Sequence, residues 1–212
     1  MTSRTWISAL LLLVASCSSG PEYAQLDGDI AMVIRTVGVP TVERNARPYM
    51  LGQRSEIFAG DVIRTGTDAA AVIRLPDGTP MTVGPGSHLR VSRVETDGSH
   101  LRFELNLSEG GLEIASGLTT PQIRLGTTTA IIQSDGAGFW VSYERVHGHL
   151  QVVSLGGSPV TISNRDGTVV LEERLDASSV APGVAPNNVT RWSASRFESE
   201  RRQSLGGLLM PH

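Results

Sequence analysis

Apolar and polar residues alternate through most of this chain. Leu89, Val91 and Val94 stand against Arg90 and Arg93, while Leu101, Phe103, Leu105 and Leu107 stand against Arg102, Glu104 and Asn106. Alternation at period two puts every second side chain on one face, so each run reads as a strand with one buried side. Further runs of Val, Ile, Leu and Thr predict strands over residues 31–37, 69–75, 127–133, 139–146, 149–155, 159–162 and 168–171. The breaks between runs carry turn chemistry at Asp77-Gly78, Pro85-Gly86, Asp97-Gly98, Gly110-Gly111, Asp135-Gly136, His147-Gly148, Gly156-Gly157 and Asp166-Gly167. Such pairs supply the positive φ of tight turns. Strands spaced ~8–12 residues apart with turns between them predict an all-β sandwich, roll or barrel, roll/sandwich-like first, with a short β-helix as an alternative.

The pattern changes near residue 187. From Arg191 to Leu205 there is neither Gly nor Pro. Thr190 is the expected N-cap of a helix that docks through Trp192 and Phe197. The run Leu208-Leu209-Met210-Pro211 is expected to be peripheral.

The first residues follow another rule. Arg4 precedes an apolar run from Trp6 to Ala15. That run is too short to span a bilayer, which takes ~20 apolar residues. Basic start, apolar stretch and small residues before a cleavage point define an export signal. Here the small residues end in Val14-Ala15-Ser16-Cys17, and Cys17 is the only cysteine in the chain. The segment resembles the bacterial lipobox, which implies diacylglycerol on the Cys17 sulfur and cleavage before it. Two or more acyl chains anchor a protein stably, at about 0.8 kcal/mol per buried methylene. Ser18 rather than Asp follows the cysteine, which points to the periplasmic side of the outer membrane by the enterobacterial rule.

Composition narrows the field. All 18 basic residues are Arg, and the net charge is -3. Loss of Arg4 with the signal makes it -4. With no basic run, nucleic-acid binding has no electrostatic support.

The segment GDVIRTGTDAAAVIRLPDGTPMTVGPGSHLRV begins at Gly60. Its order of Gly60, Asp61, Ile63, Thr65, Gly66, then Asp77, Gly78, Thr79, then Gly84, Pro85 and Ser87 resembles the FecR domain, the periplasmic module named after the iron-citrate transport regulator. A second family signature is offered by Gly110-Gly111-Leu112-Glu113-Ile114, Thr120-Pro121 and the strand from Phe139. It departs at Gly136-Ala137-Gly138, where Arg-Gly-Thr is common. The resemblance covers residues 37–183. It implies a FecR-type β domain over residues 30–186, after a signal at 1–16 and a tether at 17–29, with a helix or tail at 187–212. The Asp carboxylates can bond N–H groups of their own turns, so Gly60, Asp61, Thr65, Gly66, Asp77, Gly78 and Thr79 read as architecture rather than catalysis.

Other chemistry has thin support. His147-Gly148-His149 suggests a cupin-like metal pair, yet no Glu follows at the needed spacing and Gly148 marks a turn. No Gly-x-Ser-x-Gly elbow exists, and with no Lys there is no phosphate loop. Glu104, Glu109 and Glu113 read as solvated charges rather than a glycosidase pair. Trp140 shares a strand face with Ser142 and Glu144. If that face is exposed, Trp140 is a candidate partner contact; the alternative is burial in a second layer. No enzyme and no cofactor are expected. The chain reads as a lipid-anchored interaction or scaffold module whose partner is an envelope protein or peptidoglycan. The alternative is an accessory of signal transduction with an outer-membrane receptor. Neither the cytosolic segment nor the spanning helix of a complete FecR-type relay is expected in it.

Overall fold

A computed structural model describes residues 24–25, 29–97, 100–115 and 121–206. Residues 1–23, which include the expected export segment and Cys17, lie outside the described residues, as does 207–212 with the Leu-Leu-Met-Pro run. The strands are β1 (Ala24–Gln25), β2 (Asp29–Val37), β3 (Thr41–Arg44), β4 (Arg47–Met50), β5 (Glu56–Phe58), β6 (Val62–Arg64), β7 (Ala70–Arg74), β8 (Pro80–Val83) and β9 (His88–Thr96). There follow β10 (Leu101–Ile114), β11 (Gln122–Gly126), β12 (Ile131–Asp135), β13 (Gly138–Glu144), β14 (His149–Gly156), β15 (Val160–Asn164), β16 (Gly167–Leu171), β17 (Asp176–Val180) and β18 (Thr190–Arg191), with helix α1 (Ala194–Leu205) last.

Strand β10 organises the molecule. Its first part pairs with β9 on one side and, in parallel, with β11 on the other. Its last residues, Gly110 to Ile114, pair with β13, and Leu112 to Ile114 also pair with β8. Four arms grow from this hub. The arms β9–β6–β3–β4 and β11–β12–β15–β16 form one sheet, A. The arms β8–β7–β2–β5 and β13–β14–β17–β18 form the other, B. Gly110-Gly111 is therefore not a turn, as its sequence suggested. It is the point where one 14-residue strand leaves sheet A and enters sheet B. Gly110 has φ +100°, and a Cβ there would lie 2.1 Å from Ser87 Oγ, so only glycine fits.

The alternation seen in the sequence buries one face of each sheet against the other. Leu89, Val91, Phe103, Leu105, Ile123 and Ile132 from sheet A meet Val33, Ile73, Leu112, Phe139, Val141 and Val152 from sheet B in one continuous core. Each such side chain contributes roughly 1.5–3 kcal/mol on burial. Sheet B is covered on its outer face too, where Trp140, Val153 and Ala177 pack against Trp192, Phe197 and Leu205. This third layer is why β13 is buried on both sides, with every residue from Gly138 to Val141 buried.

Two local expectations are corrected. Residues 127–129 form a turn rather than a strand, because Thr127 Oγ1 accepts the N–H groups of Thr129 (3.2 Å) and Ala130 (3.1 Å). The helix cap is Ser193, whose hydroxyl accepts Arg196 N–H, whereas Thr190 pairs with Ala177 in β18.

Candidate functional site

Thr65, Gly66, Gly84 and Ser87 of the motif converge on the crossing of β10. Thr65 Oγ1 donates to Gly84 O (2.6 Å) and accepts Ser87 N–H (2.7 Å). Ser87 Oγ then bonds both main-chain groups of Gly111, donating to its carbonyl (3.2 Å) and accepting its N–H (3.0 Å). Gly66 O takes N–H bonds from Ala69 (3.1 Å) and Gly86 (3.0 Å). Residues far apart in sequence thereby fix the turn at Gly84 to Ser87 against the crossing. Thr65 and Ser87 are both buried, where an unpaired hydroxyl would be costly.

Asp61 lies fully buried at the start of this motif. Its carboxylate accepts Phe58 N–H (2.9 Å) and a two-pronged grip from Arg44, Nε at 2.8 Å and Nη2 at 2.7 Å. The bond to Asp61 holds the Arg44 guanidinium pKa above its ordinary value, and the guanidinium also lies 4.0 Å over the Phe58 ring. Gly60 sits at φ +92° and donates to Val91 O (2.7 Å). Asp77 closes a second turn, accepting Thr79 N–H (3.1 Å) and Thr79 Oγ1–H (2.7 Å) across Gly78, which has φ +89°.

On the other side of the crossing, Glu113 points out of sheet B beneath α1. It is 7% exposed rather than solvated, and Arg201, 5% exposed, grips both its oxygens, donating from Nη2 to Oε1 at 2.7 Å and from Nε to Oε2. The bond raises the Arg201 pKa above its ordinary value. Trp140, offered by the sequence as a candidate surface contact, is 1% exposed. Its indole N–H donates to Ser204 Oγ (2.9 Å), and its ring meets Trp192 at 6.0 Å and Phe197 edge-on at 6.2 Å. The partner of Trp140 is the chain's own helix. Nothing in the sequence marked Arg201 or Ser204; the spacing of Phe197, Arg201 and Leu205 along one helix face was the available signal.

A third clamp ties the tail down. Asp176 accepts N–H from Glu173 (2.8 Å) and Glu172 (3.2 Å) and two bonds from Arg191 (2.8 and 3.0 Å). Burial alone would push this carboxyl up, but the Glu173 N–H and the Arg191 guanidinium outweigh it and set its pKa below the ordinary value.

The histidines stand apart. His147, exposed, meets Glu144 Oε1 at 2.6 Å, and Gly148 turns the chain at φ +64° against Pro182. His88 Nδ1 accepts from Arg64 (3.1 Å); burial first, then that cation, lowers its pKa. Among the described residues no three His, Cys, Asp or Glu side chains are grouped to hold a metal ion. No described helix is long and apolar enough to cross a membrane. An open polar groove of about 620 Å³ crosses the outer face of sheet A, lined by Arg102, Glu104, Arg124, Gln133, Asp135 and Thr161 among others.

Two facing sheets stitched by one crossing strand, with a helix strapped over the second, define a β module with polar turn clamps. Residues 61–158 match the family model described as FecR protein. The match takes in Asp61, Thr65, Gly66, Asp77, Gly78, Thr79 and Trp140, while Arg201 and α1 lie beyond it. Two crystal structures of a candidate anti-sigma factor from Parabacteroides distasonis share the fold. One is 16% identical, with a TM-score of 0.51, covering 65% of this chain and 62% of that chain. The other is 17% identical, with a TM-score of 0.52, covering 66% and 64%. The matched part is thus less than two thirds of either neighbour's length. A comparison with curated proteins gave no match.

Proposed function

We propose that this chain is a lipid-anchored module of the cell envelope that takes part in signal transduction through protein contacts and catalyses no reaction. The FecR match over residues 61–158 carries the reading. Its fold neighbours, described as a candidate anti-sigma factor, point the same way. The site geometry is in keeping with it. Asp61, Glu113 and Asp176 are each engaged by an arginine, and every buried side-chain nitrogen and oxygen among the described residues has a hydrogen-bond partner. Polar groups so engaged hold architecture rather than wait for a substrate. Cys17 supplies the anchor, through acyl chains that place the domain at the periplasmic side of the outer membrane.

One observation favours a second reading. The groove on sheet A presents Arg, Glu, Gln, Asp and Thr side chains on an open face, as suits an envelope scaffold holding an envelope protein or peptidoglycan. The two readings separate in one experiment. RNA is sequenced from a strain lacking the chain, and from that strain restored with the unaltered chain or with Cys17→Ser. The signalling reading expects a discrete set of transcripts to change and to recover only with the anchored form. Unchanged transcripts, together with cosedimentation of the protein with isolated sacculi, would replace it with the scaffold reading.

A further inference from the structure

The outer face of sheet B is shaped to take a helix. Gly84, just past the end of β8, and Gly111, on β10, lie side by side and leave main chain bare. A Cβ at Gly84 would stand 2.0 Å from Ser204 O, and one at Gly111 2.5 Å from the same atom. Helix α1 thus rides on backbone, closer than any side chain would allow. One cross-strand row beside this rail runs Thr82, Glu113, Trp140, Val153 and Ala177, giving the trough a carboxylate and an apolar wall. The helix answers it with Phe197, Arg201, Ser204 and Leu205, spaced i, i+4, i+7 and i+8 on one face.

The complementarity is specific rather than strongly adhesive. The helix is mainly polar, and only Phe197, Arg201 and Leu205 are buried. A buried ion pair recovers little net stability after both charges lose water, but it is costly to break or misplace, so it sets register. Twelve residues do not persist as a helix in water without packing. The connector over residues 181–189 is largely exposed and contains Pro182 and Pro186, and it links β17 to the tail without a core of its own.

We propose that α1 is a displaceable latch: the trough between Gly84, Gly111, Glu113 and Trp140 is a receptor for an amphipathic helix, and α1 fills it in cis. When α1 leaves, the trough exposes Trp140 and a charged Glu113. The occupant that fits is a partner protein's helix bearing the same order of an aromatic residue, Arg at i+4, a small residue at i+7 and Leu at i+8. The proposal rests on packing and stands apart from the signalling reading, so either can fail alone.

The test adds a fluorescein-labelled peptide copying residues 192–206 to three forms of the full chain and follows its anisotropy. The forms are the unaltered chain, Phe197→Ala with Arg201→Ala, and that pair with Glu113→Ala added. Circular dichroism is recorded for each. The latch predicts a retained strand spectrum in all three. It also predicts peptide binding at least about tenfold tighter to the double variant than to the unaltered chain, and loss of that gain when Glu113 is removed. A double variant that keeps its strands but takes up no peptide would overturn the proposal. So would one that loses its strands, because α1 would then be part of the core, and so would binding indifferent to Glu113, because the trough would then not be the site.

Discussion

Asp61 and Glu113 are both buried carboxylates gripped at two points by an arginine, yet the two clamps hold different things. Asp61 closes a turn only three residues long on the backbone side, through Phe58 N–H, and Arg44 adds its grip from the neighbouring hairpin. Glu113 holds nothing local. Its partner is 88 residues away, on a helix that the two sheets do not need for their ladders. The first clamp is part of how the β framework turns, and the second decides whether the last layer is on or off. A buried carboxylate by itself therefore says little about role; the span of its bonds says more.

The comparison can be broken at the turn. Asp61→Ala leaves Phe58 N–H without its acceptor and Arg44 without its counter-ion. It should lower global stability by about 2–3 kcal/mol, with strand and tryptophan signals unfolding together in urea. Asp61→Asn should lose roughly half as much, because the amide oxygen still accepts the N–H. A loss confined to the tryptophan signal would erase the distinction between the clamps.

The next effect lies at the glycine rail. Gly84→Ala drives a methyl into the Ser204 carbonyl, and overpacking of this kind costs about 1–3 kcal/mol. The cost should fall on the helix. Trp140 and Trp192 emission should shift to the red while the strand spectrum stays, since both rings line that layer.

The tail clamp at Asp176 sharpens the picture through pH. Its folded pKa lies below the ordinary value, so its contribution is full above the unfolded value of about 4 and is lost as pH falls through the lower folded value. Below pH ~4 the unaltered chain should lose stability more steeply than Asp176→Asn, in paired urea titrations at several pH values. Parallel profiles would remove Asp176 from the account. The smallest effect belongs to Asp77→Ala, about 1 kcal/mol, because its bonds to Thr79 lie at a part-exposed turn.

These ranks follow what the sequence could and could not show. Period two exposed the strands over residues 88–94 and 101–107, because each buries one face and leaves the other wet. It misread Gly110-Gly111, because a strand that changes sheets needs the same glycine freedom as a turn. It passed over β5 and β6, whose three residues each are too short for a period to register. The Asp-Gly motif was legible because its bonds are local. The Arg44 grip on Asp61 and the Arg201 grip on Glu113 were not, because pairing across sheets or layers leaves no spacing in the chain. Glu113 looked solvated for the same reason: its alternation is correct, but the face it points to is covered by α1. Trp140 was left open between surface and second layer, and the tail decided it.

The separation of helix from framework is most directly read by native-state hydrogen exchange without denaturant. Amides of residues 197–205 should exchange at least about tenfold faster than those of residues 112–114 and 139–141, and faster again in Glu113→Gln while the strand amides keep their rates. Equal protection in helix and strands, falling together in the variant, would contradict the account.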